Sequence, residues 1–387
     1  MKKPVLTALL HMVLLHLCLS QALPPLTTLV SPAAIPRGRS AGPAIIPAAA
    51  IIRVKNNSSG NLSNLALQWQ MQVNGLPGQK GTVFPLLIRP GQSANFRLPA
   101  KIPNGPKDEV FLNIRYILKK QDSLHPAGYI IASDQLLLLP AHETDCTVQP
   151  KGDLTFTDEN GLFTVSSPHC NLQFNKQTGR LLHYMAKGNS LLDEEQGLRP
   201  DYWEDQEPKL QLFSTSTATN IAVVSADYSL PGVFCLLHIR YTVNADGEVL
   251  VGQTLEVDST QFTNTNLPAD SMYKGPALPR FGMQWTLPAG LDSVAYYGRG
   301  GSPTPGSPPE IGIYRQLAPQ QASDIRWYKI TGKDGHGMQI TADSSLLSVS
   351  ALQPQPQSQP RTLLNIDYPS FHLPFGNYHF FYKVTPL

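Results

Sequence analysis

Apolar and polar residues alternate along most of this chain with a period of two. Leu67, Trp69, Met71 and Val73 are interleaved with Gln68, Gln70 and Gln72, and Asn74-Gly75 follows. That pattern predicts a strand with one face toward a core, ended by a turn whose residues tolerate positive φ. Val110, Leu112, Ile114, Tyr116 and Leu118 repeat the alternation, and Tyr129 to Leu139 gives a third strand. Farther on, Phe163 to Val165, Asn171 to Asn175 and Leu181 to Tyr184 read as consecutive strands, with a turn at Lys176 to Gly179. Cys235 to Val243 and Glu248 to Val257 flank Asn244 to Gly247, a hairpin-turn signal. Met283, Trp285 and Leu287 alternate with Gln284 and Thr286, the period of a half-buried strand. A Pro288-Ala289-Gly290 turn then leads to a second short strand ending in Tyr296-Tyr297-Gly298-Arg299-Gly300. Gly337 to Thr341, Leu346 to Ala351 and Tyr378 to Val384 add further strands. Helical windows are few, and 35 prolines and 29 glycines are scattered without period. Prolines interrupt helices, so many short strands joined by turns are expected and the class is all-β.

The strands divide into two domains. Residues 50–141 suit an immunoglobulin-like β-sandwich, and residues 145–387 imply one large two-sheet sandwich. Ahead of them, Lys2 and Lys3 precede an apolar core from Val5 to Leu19, and Ser20-Gln21-Ala22 offers small residues for cleavage. Residues 1–22 therefore read as a signal peptide, with export to the periplasm or the extracellular space and no membrane segment after cleavage. Residues 23–49 are rich in Pro and Ala and read as a linker. Gln353 to Gln359 is a low-complexity surface loop.

Charge and cysteine content narrow the classes. Charged residues are 15% of the chain and the net charge is +2. Basic runs stop at two residues, so no nucleic-acid partner is expected. Export leaves Cys146, Cys170 and Cys235, which permit at most one internal disulfide and read as thiols. No C-x-x-C supports zinc. Asp193, Glu194 and Glu195 cluster, as do Glu204, Asp205 and Glu207, but adjacent residues in an extended loop point different ways. They read as solvated loop charge. Asp158 to Gly161 is too short for a calcium loop and reads as a turn. His336, His372 and His379 have no metal spacing, and no serine sits in a nucleophile elbow. No catalytic residue and no metal ligand is assigned.

The block from Leu278 to Gly300, LPRFGMQWTLPAGLDSVAYYGRG, resembles the C-terminal small-chain domain of the glycoside hydrolase family 2 β-galactosidases, which carries a similar L-P-R-x-G…L-P…Y-G-R-G-P block. The succession of a strand centred on Trp69, Pro90 to Ser93, Glu109 to Tyr116 and Pro126 to Tyr129 is similar to the sandwich domain that precedes the small chain there. The resemblance implies an immunoglobulin-like β-sandwich followed by a large galactose-mutarotase-like supersandwich. Three family loops differ. GSPTPGSPPEIGIY stands where the family has E-N-Y-x-D-R, Glu204 to Pro208 where it has R-A-P-T-D-N-D, and Tyr368 to Leu373 where it has G-G-D-D-S-W. Phe371 in the last of these reads as a packing residue.

The resemblance puts both catalytic glutamates, with magnesium and sodium ligands, on a (β/α)₈ barrel ahead of the sandwich domain. No stretch of the 387 residues offers strand–helix repeats for such a barrel. No cofactor is expected, and this chain alone is expected to be inactive. It would contribute to retaining β-galactoside hydrolysis only with a barrel-bearing β-galactosidase chain as partner. The alternative is a non-catalytic secreted carbohydrate-binding or interaction module, or a gene relic. Trp203, Tyr297 and Arg299, at the rims of the altered loops, are the expected contacts to a β-galactoside or other glycan, by stacking and hydrogen bonding.

Overall fold

The computed structural model describes residues 26–30, 49–103, 105, 108–140, 146–193, 197–200, 208–230, 235–257, 280–303, 307–316, 321–343, 346–352, 362–368 and 378–387. They form two units, Met1–Ala141 with Ser302–Glu310, and His142–Gly301 with Ile311–Leu387. Among the described residues every helix or strand is a strand. The signal-peptide reading at 1–22 and the loop at Gln353 to Gln359 lie outside them.

The first unit holds β1 (Leu26–Val30), β2 (Ala49–Asn56), β3 (Leu65–Val73), β4 (Leu76–Val83), β5 (Ser93–Lys101), β6 (Val110–Leu118) and β7 (Ile130–Leu139). They make two antiparallel sheets, β1-β2-β5 and β4-β3-β6-β7. Ile52, Val54, Leu67, Trp69, Leu98 and Ile114 pack into one core. The alternation in β3 sorts as predicted from Leu67 to Met71, with Leu67, Trp69 and Met71 buried and Gln68 exposed, but Gln72 is buried too and donates to the Gly75 carbonyl oxygen at 2.9 Å. Asn74 and Gly75 both take positive φ, 50° and 81°, which turns β3 into β4. β1 corrects the linker reading of residues 23–49. Leu26–Val30 pairs along β2, and Thr28 Oγ1 meets the Tyr116 hydroxyl at 2.6 Å. Five residues give little periodic signal, and the partners that bury this strand lie far along the chain.

The second unit begins with β8 (Thr155–Glu159), β9 (Leu162–Ser166), β10 (Cys170–Asn175), β11 (Leu181–Ala186), β12 (Asn189–Ser190), β13 (Leu198–Pro200) and β14 (Lys209–Ala218). It continues with β15 (Ile221–Leu230), β16 (Cys235–Val243), β17 (Val249–Val257), β18 (Gly282–Leu287), β19 (Ser293–Arg299) and β20 (Ile311–Gln316). Then come β21 (Ala322–Thr331), β22 (Gly337–Ala342), β23 (Leu347–Leu352), β24 (Thr362–Asp367) and β25 (Tyr378–Pro386).

Two antiparallel sheets result. One runs β8-β9-β10-β11-β13-β18-β24-β23-β21, with β12 beside β11. The other runs β14-β15-β16-β17-β25-β22-β21-β19-β20. β21 belongs to both, and a bulge between Ala322 and Ile325 marks its change of partner. The sheets share a core that includes Phe174, Tyr184, Tyr241, Trp285 and Tyr382. Trp285 Nε1 donates to the Tyr382 hydroxyl at 3.2 Å, tying a strand of the first sheet to a strand of the second.

The two strands around Pro288-Ala289-Gly290 fall in different sheets. β18 lies between β13 and β24, whereas β19 lies between β20 and β21. The turn therefore carries the chain from one layer to the other. All six residues of β18 are buried, so the half-buried strand expected from the alternation is buried on both faces.

Candidate functional site

The glycines of the Tyr297-Gly298-Arg299-Gly300 corner are required by close approach. A Cβ on Gly298 would lie 2.6 Å from Ile325 Cδ1 and 2.9 Å from the Ser323 carbonyl oxygen. A Cβ on Gly300 would run into the ring of Tyr314. Residues 323–325 thus sit directly on β19, and Asp324, at a positive φ of 49°, turns its carboxylate to Arg299. Arg299 Nε donates to Asp324 Oδ2 at 2.6 Å.

The three expected sugar contacts have different fates here. The Arg299 side chain is 41% exposed despite its ion pair. Tyr297 is only 4% exposed, and the Arg326 guanidinium stands 5.3 Å from its ring centroid. That leaves no open ring face for stacking on a sugar, because three consecutive residues of β19, Tyr296 to Gly298, are buried. Trp203 lies outside the described residues.

A second constellation was not assigned from the sequence. Arg199 on β13, Gln284 on β18, Asn365 on β24 and Ser350 on β23 are successive cross-strand partners. Arg199 Nη2 and Nε donate to Gln284 Oε1 at 2.6 and 3.0 Å. Gln284 Nε2 then donates to Asn365 Oδ1 at 3.0 Å, and Asn365 Nδ2 to Ser350 Oγ at 3.4 Å. Gln284 and Asn365 are 5% and 1% exposed, so this row satisfies amides that would otherwise be costly to bury. One end of the same strands carries a second pair, with Arg280 Nη2 donating to Asp367 Oδ2 at 2.6 Å. The available signal was a Gln and an Asn in otherwise apolar strands. Alternation alone reads such positions as solvent-facing.

Chemically, the row and the corner offer guanidinium and amide groups held in fixed orientation. Such groups recognise hydroxyls; they do not transfer protons. The carboxylates beside them, Asp367 and Asp324, each face an arginine. Asp158 pairs with Lys176 at 2.8 Å beside a turn in which Asn160 and Gly161 take positive φ. His379 Nδ1 lies 2.9 Å from Thr254 Oγ1, and His336 bonds Asp334. Among the described residues no group of three or more His, Cys, Asp and Glu converges as a metal site would require. Glu194, Glu195, Glu204, Asp205, Glu207, Phe371 and His372 lie outside the described residues. Cys146, Cys170 and Cys235 carry no disulfide, and burial pushes the Cys170 thiol up.

Comparison with known proteins follows the same lines. Residues 52–139 match the family model for β-galactosidase domain 4, and residues 166–304 match that for the β-galactosidase small chain. A β-galactosidase from Priestia megaterium is 24% identical over 72% of this chain and 29% of its own length. One from Lactobacillus delbrueckii subsp. bulgaricus is 23% identical over 68% of this chain and 28% of its own. The chain thus spans less than a third of the length of these relatives. A solved putative aldose 1-epimerase from Escherichia coli K12 is similar over 60% of this chain and 99% of its own, at 9% identity and a TM-score of 0.34. Two β-galactosidase domain matches in succession, with two curated β-galactosidases as relatives over about 70% of the chain, show that the chain is similar to the C-terminal part of β-galactosidases.

Proposed function

We propose that this chain supplies the two C-terminal domains of a β-galactosidase-type enzyme and takes part in β-galactoside hydrolysis only with a barrel-bearing polypeptide. One observation carries the reading: two β-galactosidase domain matches follow one another along this chain, and among its described residues there are strands and turns but no helix. A (β/α)₈ barrel needs helices between its strands. Retaining hydrolysis needs two carboxyl groups ~5–5.5 Å apart, and the carboxylates of the candidate site are each held by an arginine. The catalytic pair and its metal ions then belong to the barrel, outside these 387 residues. The exposed Arg299 side chain contributes hydrogen bonds to the sugar, together with Trp203, while Tyr297 serves the packing of the corner. The basic and apolar start of the sequence supports a periplasmic or extracellular site for this activity.

The test is reconstitution. The purified chain is assayed with a chromogenic β-galactoside, alone and mixed with a β-galactosidase fragment that carries the barrel but not these two domains. Turnover only in the mixture supports the proposal. A second reading, a carbohydrate-binding module without catalysis, is favoured by the three altered loops. It predicts galactoside binding by the chain and no gain of turnover in the mixture.

A further inference from the structure

The outer face of the β4-β3-β6-β7 sheet carries polar side chains in two cross-strand rows. Thr82, Gln68, Arg115 and Ser133 form one, and Lys80, Gln70, Asn113 and Gln135 the other. Between them lies a depression of about 450 Å³, lined by Gln68, Gln70, Lys80, Thr82, Asn113 and Arg115. That volume falls within the range of small-molecule sites, ~300–1,000 Å³.

Its lining is partly fixed and partly unoccupied. Asn113 is clamped, accepting from Gln135 Nε2 at 2.9 Å and donating to Gln72 Oε1 at 3.2 Å. Gln68, Gln70, Lys80 and Thr82 make no side-chain hydrogen bond or ion pair to the described residues. The Arg115 guanidinium stands 3.6 Å from Glu310, longer than a good charged hydrogen bond. Its Nε is shielded from water and has no acceptor. A plain solvated sheet face would leave such a donor to water. Among the described residues no carboxylate lines the depression, while two cations do.

We propose that this depression binds an acidic saccharide, a short chain of sugar rings bearing a carboxylate or sulfate. Amides supply a donor and an acceptor side by side, which matches adjacent ring hydroxyls. Lys80 and Arg115 receive the anionic group. The site lies in the first unit and uses no residue of the hydrolase reading.

Titration calorimetry on the full chain tests it with three probes: trigalacturonate, a sulfated galactose trisaccharide, and neutral galactotriose. At least one acidic probe should bind saturably below about 1 mM, and the one that does identifies the group. Raising salt should weaken that binding. Lys80→Gln, on an exposed position, and Gln70→Ala should each weaken it about fivefold or more with an unchanged unfolding temperature. No binding of either acidic probe at about 10 mM would overturn the proposal. Equal binding of galactotriose, or unchanged affinity in Lys80→Gln, would also overturn it.

Discussion

Trp285 and Tyr382 offer a direct measurement of how the two sheets of the second unit are held together. Trp285 is wholly buried in β18, its ring 6.3 Å from that of Tyr184. Its indole N–H donates across the core to Tyr382 on β25 at 3.2 Å. Burial holds the Tyr382 phenol well above its ordinary pKa, so the hydroxyl stays protonated at any working pH. Trp285→Phe removes the donor and part of the ring. The smaller ring costs about 1–2 kcal/mol through lost burial and a partly relaxed cavity. The lost hydrogen bond adds about 1 kcal/mol, for a total of about 2–3 kcal/mol. Tyr382→Phe keeps the volume but leaves a buried N–H without its acceptor, at about 1–3 kcal/mol. The double variant has neither polar group. Its cost should fall short of the sum of the single variants by about 1 kcal/mol. Guanidinium unfolding followed by far-ultraviolet circular dichroism reads all four proteins without relying on the altered fluorophore. Additivity within about 0.3 kcal/mol would refute a hydrogen bond across the core.

Further outcomes follow from single positions. Gly282→Ala would place a Cβ against the Ile366 carbonyl oxygen and Asp367 on β24, so the second unit should lose about 2–4 kcal/mol in denaturant unfolding. Burial raises the Asp134 carboxyl above its ordinary value of 3.8, and hydrogen bonds from Thr28 only partly oppose it. A carboxyl with a raised folded pKa contributes stability below its unfolded pKa and loses it as pH rises through the folded one. Asp134→Asn should therefore be more thermally stable than the parent at about pH 7, with the difference closing at about pH 3. A constant difference between the two pH values would contradict this.

Where the sequence was legible, the information was local. Leu67 to Met71 alternates and Asn74-Gly75 turns, both as read, whereas Gln72 is buried against its polar reading. The all-β class followed from many such segments. What stayed hidden depends on partners distant in the chain. β18 reads as a half-buried strand because Gln284 and Thr286 alternate with apolar neighbours. Yet its partners, β13 and β24, begin at Leu198 and Thr362, and both of its faces are covered. The hydrogen bonds from Arg199 and to Asn365 make that burial tolerable, and no local pattern announces them. Leu26–Val30 escaped as a strand for the same reason. The Tyr297-Gly298-Arg299-Gly300 corner was found by its residue types. Its glycines, however, answer to Ile325 and Tyr314, and its arginine to Asp324. Tyr297, read as a stacking residue, is closed off by its own burial and that of its neighbours Tyr296 and Gly298.

The central claim is that these two domains are partners in β-galactoside hydrolysis and not its catalysts. Release of a chromophore from a β-galactoside by the purified chain, with and without a barrel-bearing fragment, tests it most directly. The chain alone should match a heat-killed control, and the mixture should turn over substrate faster than the fragment alone. Sustained turnover by the chain alone, or a mixture no faster than the fragment, would contradict the account.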